Sequence, residues 1–594
     1  MKKTLMILMV FLLIGCQDNI TEESEIIEEE INIESEVVTV FTSTTLEDFY
    51  EELFIKIMLY NPQWIDDLGD LSDYGVSFQK DQLTRVDDQY LDEMTEFYEE
   101  ALRYLLTFES EDINYKNIQW YLEIELETLL YKDQRFFLSH IIGEHRSLYT
   151  LLLEVHIIES KEDAEDWIKR VEGTEIVIQE WIKRYNNQFE AGFIMDPMSI
   201  DATLGQLRTY YKTKPEYMDL YKAFKERVEL LELTEDEKTS LVDRGLSAIT
   251  DYYVPNMAEL KKTLSDSKQL SKESNGVWAM PDGDAYYEFA LKRHTTTTMT
   301  PEEIHQLGLS EVKRIQEDMR IAFSELGYDG ELSAMLNALY GDATTFRGQE
   351  ALDQYVLIAK TIEEDLETFF YKEDLPASSP NIKKSPGGNF YVTPSIDGKR
   401  SGVYYLDLGG THFDFTINTL AFHETVPGHH LDREHELLLE NIPMVRKLAF
   451  NTAYIEGWAL YAEMLADEYG YNPTPAHHIG YLKSELHRAA RLVVDTGIHY
   501  KKWSRDEAVD YLVDEGLLHP GYAQAEVTRY TSWPGQACSY KIGQLKLLEL
   551  RNKMEDALGS EYDIRDFHHL VLGEGSMPLT LIEEHVMSYI KTHQ

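Results

Sequence analysis

Residues 419–435 read TLAFHETVPGHHLDREH, and the spacing of their histidines dictates how the middle of the chain must fold. His423 and Glu424 are adjacent, and His429 and His430 come directly after Pro427-Gly428. In an HExxH arrangement a helix sets two histidines at i and i+4 on one face, with the glutamate beside them as base for an attacking water. Here the second histidine stands at i+6, turned about 120° from the first on an ideal helix. Proline cannot donate the helical bond back to residue 423, and glycine tolerates the backbone that results. The segment is therefore expected to be an HExxH helix carrying a two-residue bulge. His430 at i+7 regains the helical phase, but about 10.5 Å along the axis is too far for easy sharing of one ion.

A third ligand is expected on a neighbouring helix. Pro443 opens such a helix, and YIEGWALYAE (454–463) lies inside it. Glu456 comes after His429 at a distance that allows a turn and an antiparallel return, and Glu463 shares its face at i+7. A carboxylate in so apolar a stretch needs a compensating charge. A metal ion would provide it; an ion pair with Lys447 or with an arginine elsewhere is the alternative.

Outward from these motifs, the body reads as helix almost throughout. Leu46, Phe49, Leu53, Ile57 and Tyr60 form one stripe, and Ile118, Leu122, Leu126 and Leu129 another. Further runs cover 88–109, 160–185, 215–232, 235–250 and 301–326. Thr300-Pro301-Glu302-Glu303 supplies an N-cap, a first-turn proline and acidic residues, and Ser504-Arg505-Asp506-Glu507 fits a capping box. The clearest departure is SPGGNFYVTPSIDGKRSGVYYLDLG (385–409), whose alternation around Asp397-Gly398 predicts a hairpin or ribbon. Lying just upstream of the histidines, it is a candidate edge for an extended peptide. A decorative surface hairpin is the competing reading.

The amino terminus carries an address. Lys2 and Lys3 precede an apolar run from Leu5 to Ile14 that ends Leu13-Ile14-Gly15-Cys16. The run is too short to span a bilayer and has the layout of a secretory signal. Its ending is similar to the bacterial lipobox, which makes Cys16 the expected site of lipidation and 1–15 a signal peptide. Residues 16–45 are acidic and lack glycine and proline after the cysteine, and they are expected to act as a tether with a reach of about 100 Å at most; a surface helix or strand through Val37–Phe41 is the competing reading. Cys538 is the only other cysteine, so the mature chain has no internal disulfide framework. Residues 46–594 form the body.

Composition narrows the function. The 594 residues carry 107 acidic against 55 basic side chains, a formal charge of -52, with 43% hydrophobic residues. That apolar content excludes disorder throughout, and the charge disfavours a nucleic-acid partner.

HETVPGHH with EGWALYAE downstream resembles a bacterial family catalogued as domain of unknown function 885, whose mark is HExxPGHH and then EGWAxYxE. RLVVDTGIH (491–499), RYTSWPGQACSYKIG (529–543) and FHHLVLGEGSMPL (567–579) extend the resemblance over essentially everything after the tether. The family in turn is similar to helical gluzincin peptidases. The resemblance implies a mainly α fold of two lobes, about 46–300 and 301–594, around a substrate channel. It also implies one zinc ion per chain held by His423, His429 and Glu456, with Glu424 as base. Arg491, Asp495 and His499 fall on one helical stripe, so Asp495 could orient His499 toward a developing oxyanion. Tyr540 is the second oxyanion candidate by the same resemblance. Each has a bland alternative, a core-edge histidine satisfied by Asp495 and one tyrosine among 38.

Three functional classes compete: a lipid-anchored extracytoplasmic zinc peptidase, a metallohydrolase for a non-peptide amide or ester, and a non-catalytic lipoprotein that binds peptides or metal. The first accounts best for Glu424 beside a ligand histidine. Arg529 and Lys541, near Tyr540 in sequence, are candidates to receive a substrate carboxylate, or they simply balance a very acidic protein. Carboxypeptidase action on short peptides is expected, with endo-acting oligopeptidase action as the alternative.

Overall fold

Capping signals in the sequence become hydrogen bonds. Thr300 Oγ1 accepts from the Glu303 amide while the Glu303 carboxylate takes the Thr300 amide at 2.8 Å, and Ser504 and Glu507 repeat the exchange at 3.2 and 2.7 Å. In the computed structural model the described residues are 40–594, except 69–70, 72–73, 75–78, 213, 270, 272–275, 386–387, 396–399, 450 and 594. The fold is mainly α. The helices that build and flank the site, numbered in chain order, are α1 (Leu46–Tyr60), α2 (Asp88–Leu105), α3 (Ile113–Leu130), α4 (Gly283–Thr295), α5 (Pro301–Glu325), α6 (Asp414–Glu424), α7 (His429–Leu438), α8 (Thr452–Glu468), α9 (Pro475–His499), α10 (Pro520–Ser532), α11 (Gln536–Leu558) and α12 (Ile564–Leu572). No helix among the described residues is long and apolar enough to cross a membrane.

The expected lipidation site Cys16, the expected signal peptide and most of the expected tether lie outside the described residues. The tether ends earlier than expected. Phe41 is buried against Phe49, Phe97 and Tyr104, and the Glu52 carboxylate accepts from the amides of Thr42 and Ser43. An aromatic side chain next to a helix that can cover it does not stay in water, so residues 41–45 belong to the body.

The largest apolar core joins α6, α8, α11 and α12 to Tyr287, Phe289 and Leu291 of α4, so it runs continuously across residue 300. A second cluster packs α1, α2 and α3 around Val445 and Ala449.

The expected ribbon forms and gains a third strand. Five short strands are numbered β1 (Thr345–Phe346), β2 (Asn381–Lys384), β3 (Phe390–Val392), β4 (Val403–Leu406) and β5 (His412–Phe413). β3 and β4 pair antiparallel with Tyr391 opposite Tyr404, and β2 adds in parallel on the other side of β4. The order β2-β4-β3 leaves β3 as an edge strand. β1 and β5 pair separately.

Candidate metal centre

The HETVPGHH segment is not one bulged helix. α6 stops at Glu424, α7 starts at His429, and residues 425–428 turn the chain between them. The Gly428 amide donates to the Phe422 carbonyl at 3.0 Å and the His430 amide to the Thr425 carbonyl at 3.1 Å. A Cβ on Gly428 would lie 2.1 Å from the His423 carbonyl oxygen, so only glycine allows the turn to close this tightly. The break swings His429 toward His423: their ring centroids are 4.7 Å apart at 79°.

α8 brings in the third residue. It lies against α11 through Gly457 and Gly543, where a Cβ on Gly457 would meet Gly543 Cα at 2.5 Å. Trp458 Nε1 donates to the Pro427 carbonyl at 2.9 Å, tying α8 to the turn. Glu456 Oε2 then stands 3.6 Å from His423 Nε2 and 3.6 Å from His429 Nε2. Among the described residues this is the group of three potential ligand atoms that lie within 4.8 Å of one another.

Behind it, His423 Nδ1 donates to Glu463 Oε1 at 2.8 Å, which turns Nε2 toward Glu456. Glu463 also accepts from Ser484 Oγ at 2.9 Å and from Arg488 at 3.4 Å. Glu463 stood out in the sequence as the i+7 neighbour of Glu456; Ser484 and Arg488, on α9, had no local signal.

The donor set fits a cation. Glu456 Oε2 is buried without a hydrogen-bond partner, and two imidazoles with one carboxylate are a zinc-type set. Lys447 donates to the Leu437 carbonyl instead, and among the described residues no arginine pairs with Glu456, whose close contacts are His423 and His429. Burial opposes a charge on His423, but Glu456, Glu463 and Glu424 outweigh it and carry its pKa up to about 10. A field that would protonate an imidazole this strongly also attracts a cation. Burial pushes the Glu424 carboxyl up from its ordinary value against the pull of His423 and His429. Glu424 makes no hydrogen bond to any described residue, so it is free to handle a proton.

His430 is not a competitor. Its Nδ1 meets Tyr391 Oη at 2.9 Å and its Nε2 the Ser378 carbonyl at 2.7 Å. Tyr391 of the edge strand β3 therefore packs against His429 and His430, at ring-centroid distances of 6.3 and 5.9 Å, while Phe390 and Val392 face a cavity of about 670 Å³.

Two expected residues do not reach the site. His499 is fully buried, accepts the Val277 amide at Nδ1 (3.2 Å) and meets the Tyr530 carbonyl at Nε2 (3.0 Å). Burial lowers its pKa to about 4. With both ring nitrogens taken by backbone it has no donor for an oxyanion. It also lies about 22 Å along α9 from Ser484, which stands behind His423. Asp495 does not orient it, but accepts from Tyr287 Oη at 2.7 Å and from the Gly535 amide at 3.0 Å, fixing the turn into α11. Lys541 is also spent internally, on Glu485 (2.6 Å), Glu311 (3.1 Å) and Gln544 (2.8 Å). In this very acidic chain the buried lysine goes to balancing carboxylates, not to substrate.

Tyr540 and Arg529 stay together. Arg529 donates to Tyr540 Oη at 3.2 Å and to Gln536 Oε1 at 2.7 Å, and Arg491 lies 4.5 Å from the Tyr540 ring centroid. Gln536 and Glu456 both line a second cavity of about 350 Å³, with Arg135, Tyr286, Phe289 and Trp533. Tyr540 is thus one hydrogen bond behind the wall of the cavity that the third metal-ligand candidate faces.

A family model described as "Bacterial protein of unknown function (DUF885)" matches residues 62–586, so the chain belongs to that family. No curated protein is similar to it. The fold is shared with a crystal structure described as "the putative lipoprotein from Colwellia psychrerythraea", with a TM-score of 0.87, 24% identity, and 92% of this chain and 98% of that one covered. It is shared also with "a putative lipoprotein of unknown function from Shewanella oneidensis", with a TM-score of 0.70, 16% identity, and coverage of 92% and 100%. At these identities the likeness shows the fold alone.

Proposed function

We propose that this member of the DUF885 family is a zinc-dependent peptidase that cuts short peptides outside the cell. The observation that carries the reading is the convergence of His423, His429 and Glu456 within 4.8 Å beside the unbonded Glu424 carboxylate. A zinc ion held by those three would act as a Lewis acid toward a scissile carbonyl and an attacking water. Glu424 takes the proton from that water and returns it to the departing amine, a task suited to a carboxylate whose pKa burial has raised. Tyr540 accepts from Arg529 and Gln536 and leaves its own O–H without an acceptor among the described residues; to meet the oxygen on which negative charge develops, that O–H would have to come forward past Gln536. The β3 edge, with Tyr391 packed against His429, supports a substrate laid down as an extra strand.

The lipobox-like ending at Cys16 supports a lipid anchor. Cys16→Ser should release the protein from membranes, and persistent membrane association would remove the anchor from the reading. For the chemistry, elemental analysis of purified protein should find one zinc per chain. Glu424→Gln should keep that zinc and lose on the order of 10²-fold or more in turnover of a peptide pool. Full activity in that variant, or full zinc in both His423→Ala and Glu456→Ala, would reject the assignment.

A further inference from the structure

The cavity of about 670 Å³ is lined by Arg85, Lys132, Arg135, Arg146 and Arg184 against the carboxylates Glu125 and Glu144. In a chain with 107 acidic and 55 basic residues, this interior has the opposite sign to the rest of the molecule. Most of these cations are engaged. Arg85 pairs with Asp87 and Glu93, Lys132 with Asp92, and Arg184 and Arg146 donate to backbone carbonyls.

Arg135 differs. Its guanidinium makes no hydrogen bond or ion pair with any described residue, and the residue remains solvent-accessible inside the cleft. It also lines the second cavity, of about 350 Å³, together with Glu456, so it stands where the two cavities meet. The two carboxylates that share the cavity with it make no hydrogen bond to its guanidinium. Glu125 is held by Arg293 at 2.9 Å, and Glu144 acts on Arg135 only through space. Around it, Phe136, Tyr286, Phe289 and Trp533 give the second cavity an aromatic lining.

We propose that Arg135 is the carboxylate-binding residue of the substrate site, a role that rests on the peptidase reading above. A guanidinium accepts a carboxylate in a two-pronged pair, and inside a cleft that pair is only weakly screened. A peptide whose scissile bond lies at Glu456 has the smaller cavity for the residues on the carboxyl side of the cut, with Arg135 at its far rim. The substrates are short peptides with a free carboxylate and an apolar or aromatic side chain next to it, and the enzyme releases short carboxy-terminal pieces. Arg529 and Lys541, occupied by their own neighbours, do not take this part.

The test uses the full zinc-loaded chain and one pool of tetra- to hexapeptides in three forms: free acid, C-terminal amide, and amide with a terminal glutamate. Wild type should favour the free acid over the plain amide by about 10-fold or more in kcat/KM. Arg135→Gln should bring the two forms to near parity, chiefly through KM, and Arg135→Lys should restore part of the difference. The glutamyl amide separates a terminal from a side-chain carboxylate, and a preference for either that depends on Arg135 supports the proposal. If Arg135→Gln leaves the acid-to-amide ratio unchanged, the proposal is overturned. Should no peptide be turned over, the hydrolytic reading falls. The proposal is then decided by binding alone, as co-elution of the same pool with Glu424→Gln and with Glu424→Gln/Arg135→Gln. Equal retention by the two proteins, or no retention by either, overturns it.

Discussion

Glu463 offers a sharp test of the metal centre, because it touches the ion's expected ligand without being one. Its buried carboxylate takes three donors: His423 Nδ1 at 2.8 Å, Ser484 Oγ at 2.9 Å and Arg488 at 3.4 Å. Glu463→Gln can keep an oxygen toward His423 and is nearly isosteric, but it removes the charge that makes the imidazole a stronger donor to the ion. Loss of such a supporting partner costs about 10- to 100-fold in affinity, or about 1.4–2.7 kcal/mol. Glu463→Ala goes further, leaving the His423 N–H without an acceptor and the half-buried Arg488 without its carboxylate, though Arg488 keeps the Ser484 carbonyl. That should add about 3–5 kcal/mol of destabilisation. Apo-protein would be titrated with zinc against a chromophoric chelator, with circular dichroism to confirm that each variant is folded. His430→Ala serves as control, since both its ring nitrogens are bonded elsewhere. A folded Gln variant with wild-type zinc affinity, or a wild type that competes for no zinc at all, would refute the reasoning.

The packing sets three more outcomes. Gly457→Ala puts a methyl group into the Gly543 backbone, so α8 and α11 must part. Stability should fall by about 1–3 kcal/mol and zinc affinity with it, and unchanged affinity would mean that Glu456 is not placed by that contact. Lys541→Met strips the buried carboxylates Glu485 and Glu311 of a partner, so the denaturation midpoint should drop while KM for peptides holds; the reverse pattern would return Lys541 to the substrate site. Acid should unfold the chain early. Burial depresses His294, His487 and His568 to about 3 and His499 to about 4, below the ordinary value of about 6.5. Their contribution to stability is complete above about pH 6.5 and is lost as pH falls toward 4. Asp495, raised to about 7, and Asp432, raised to about 6, act in the opposite sense but are fewer. The urea midpoint should therefore be lower at pH 5 than at pH 7.5, and a higher one would show that the imidazoles are not held neutral.

Local patterns were enough to place the elements and to name the candidate ligands. Helical stripes, capping boxes and the HETVPGHH and YIEGWALYAE segments are written in residues three or four apart or next to each other. Periodicity and caps depend on nothing beyond one turn of backbone, so they survive without knowledge of the rest of the chain. What each polar side chain does is a different matter, because it depends on which atoms of distant segments fill the remaining space. Asp495 and His499 share a helical face, yet Tyr287 and Gly535 claim the first while Val277 and Tyr530 claim the second. Lys541 was lost to Glu311 and Glu485 in the same way, and Arg135 emerged as unpaired only in three dimensions, where Arg293 holds Glu125 and Glu144 acts on Arg135 without a hydrogen bond. Even the break at Pro427-Gly428, visible as two unusual residues, took its shape from tertiary packing: Trp458 reaches across from α8 to hold the Pro427 carbonyl, and the turn closes until only glycine fits. A buried hydrogen-bonding group costs free energy unless it is paired, so the folded core assigns partners by proximity in space, and proximity in space is what a single sequence does not state.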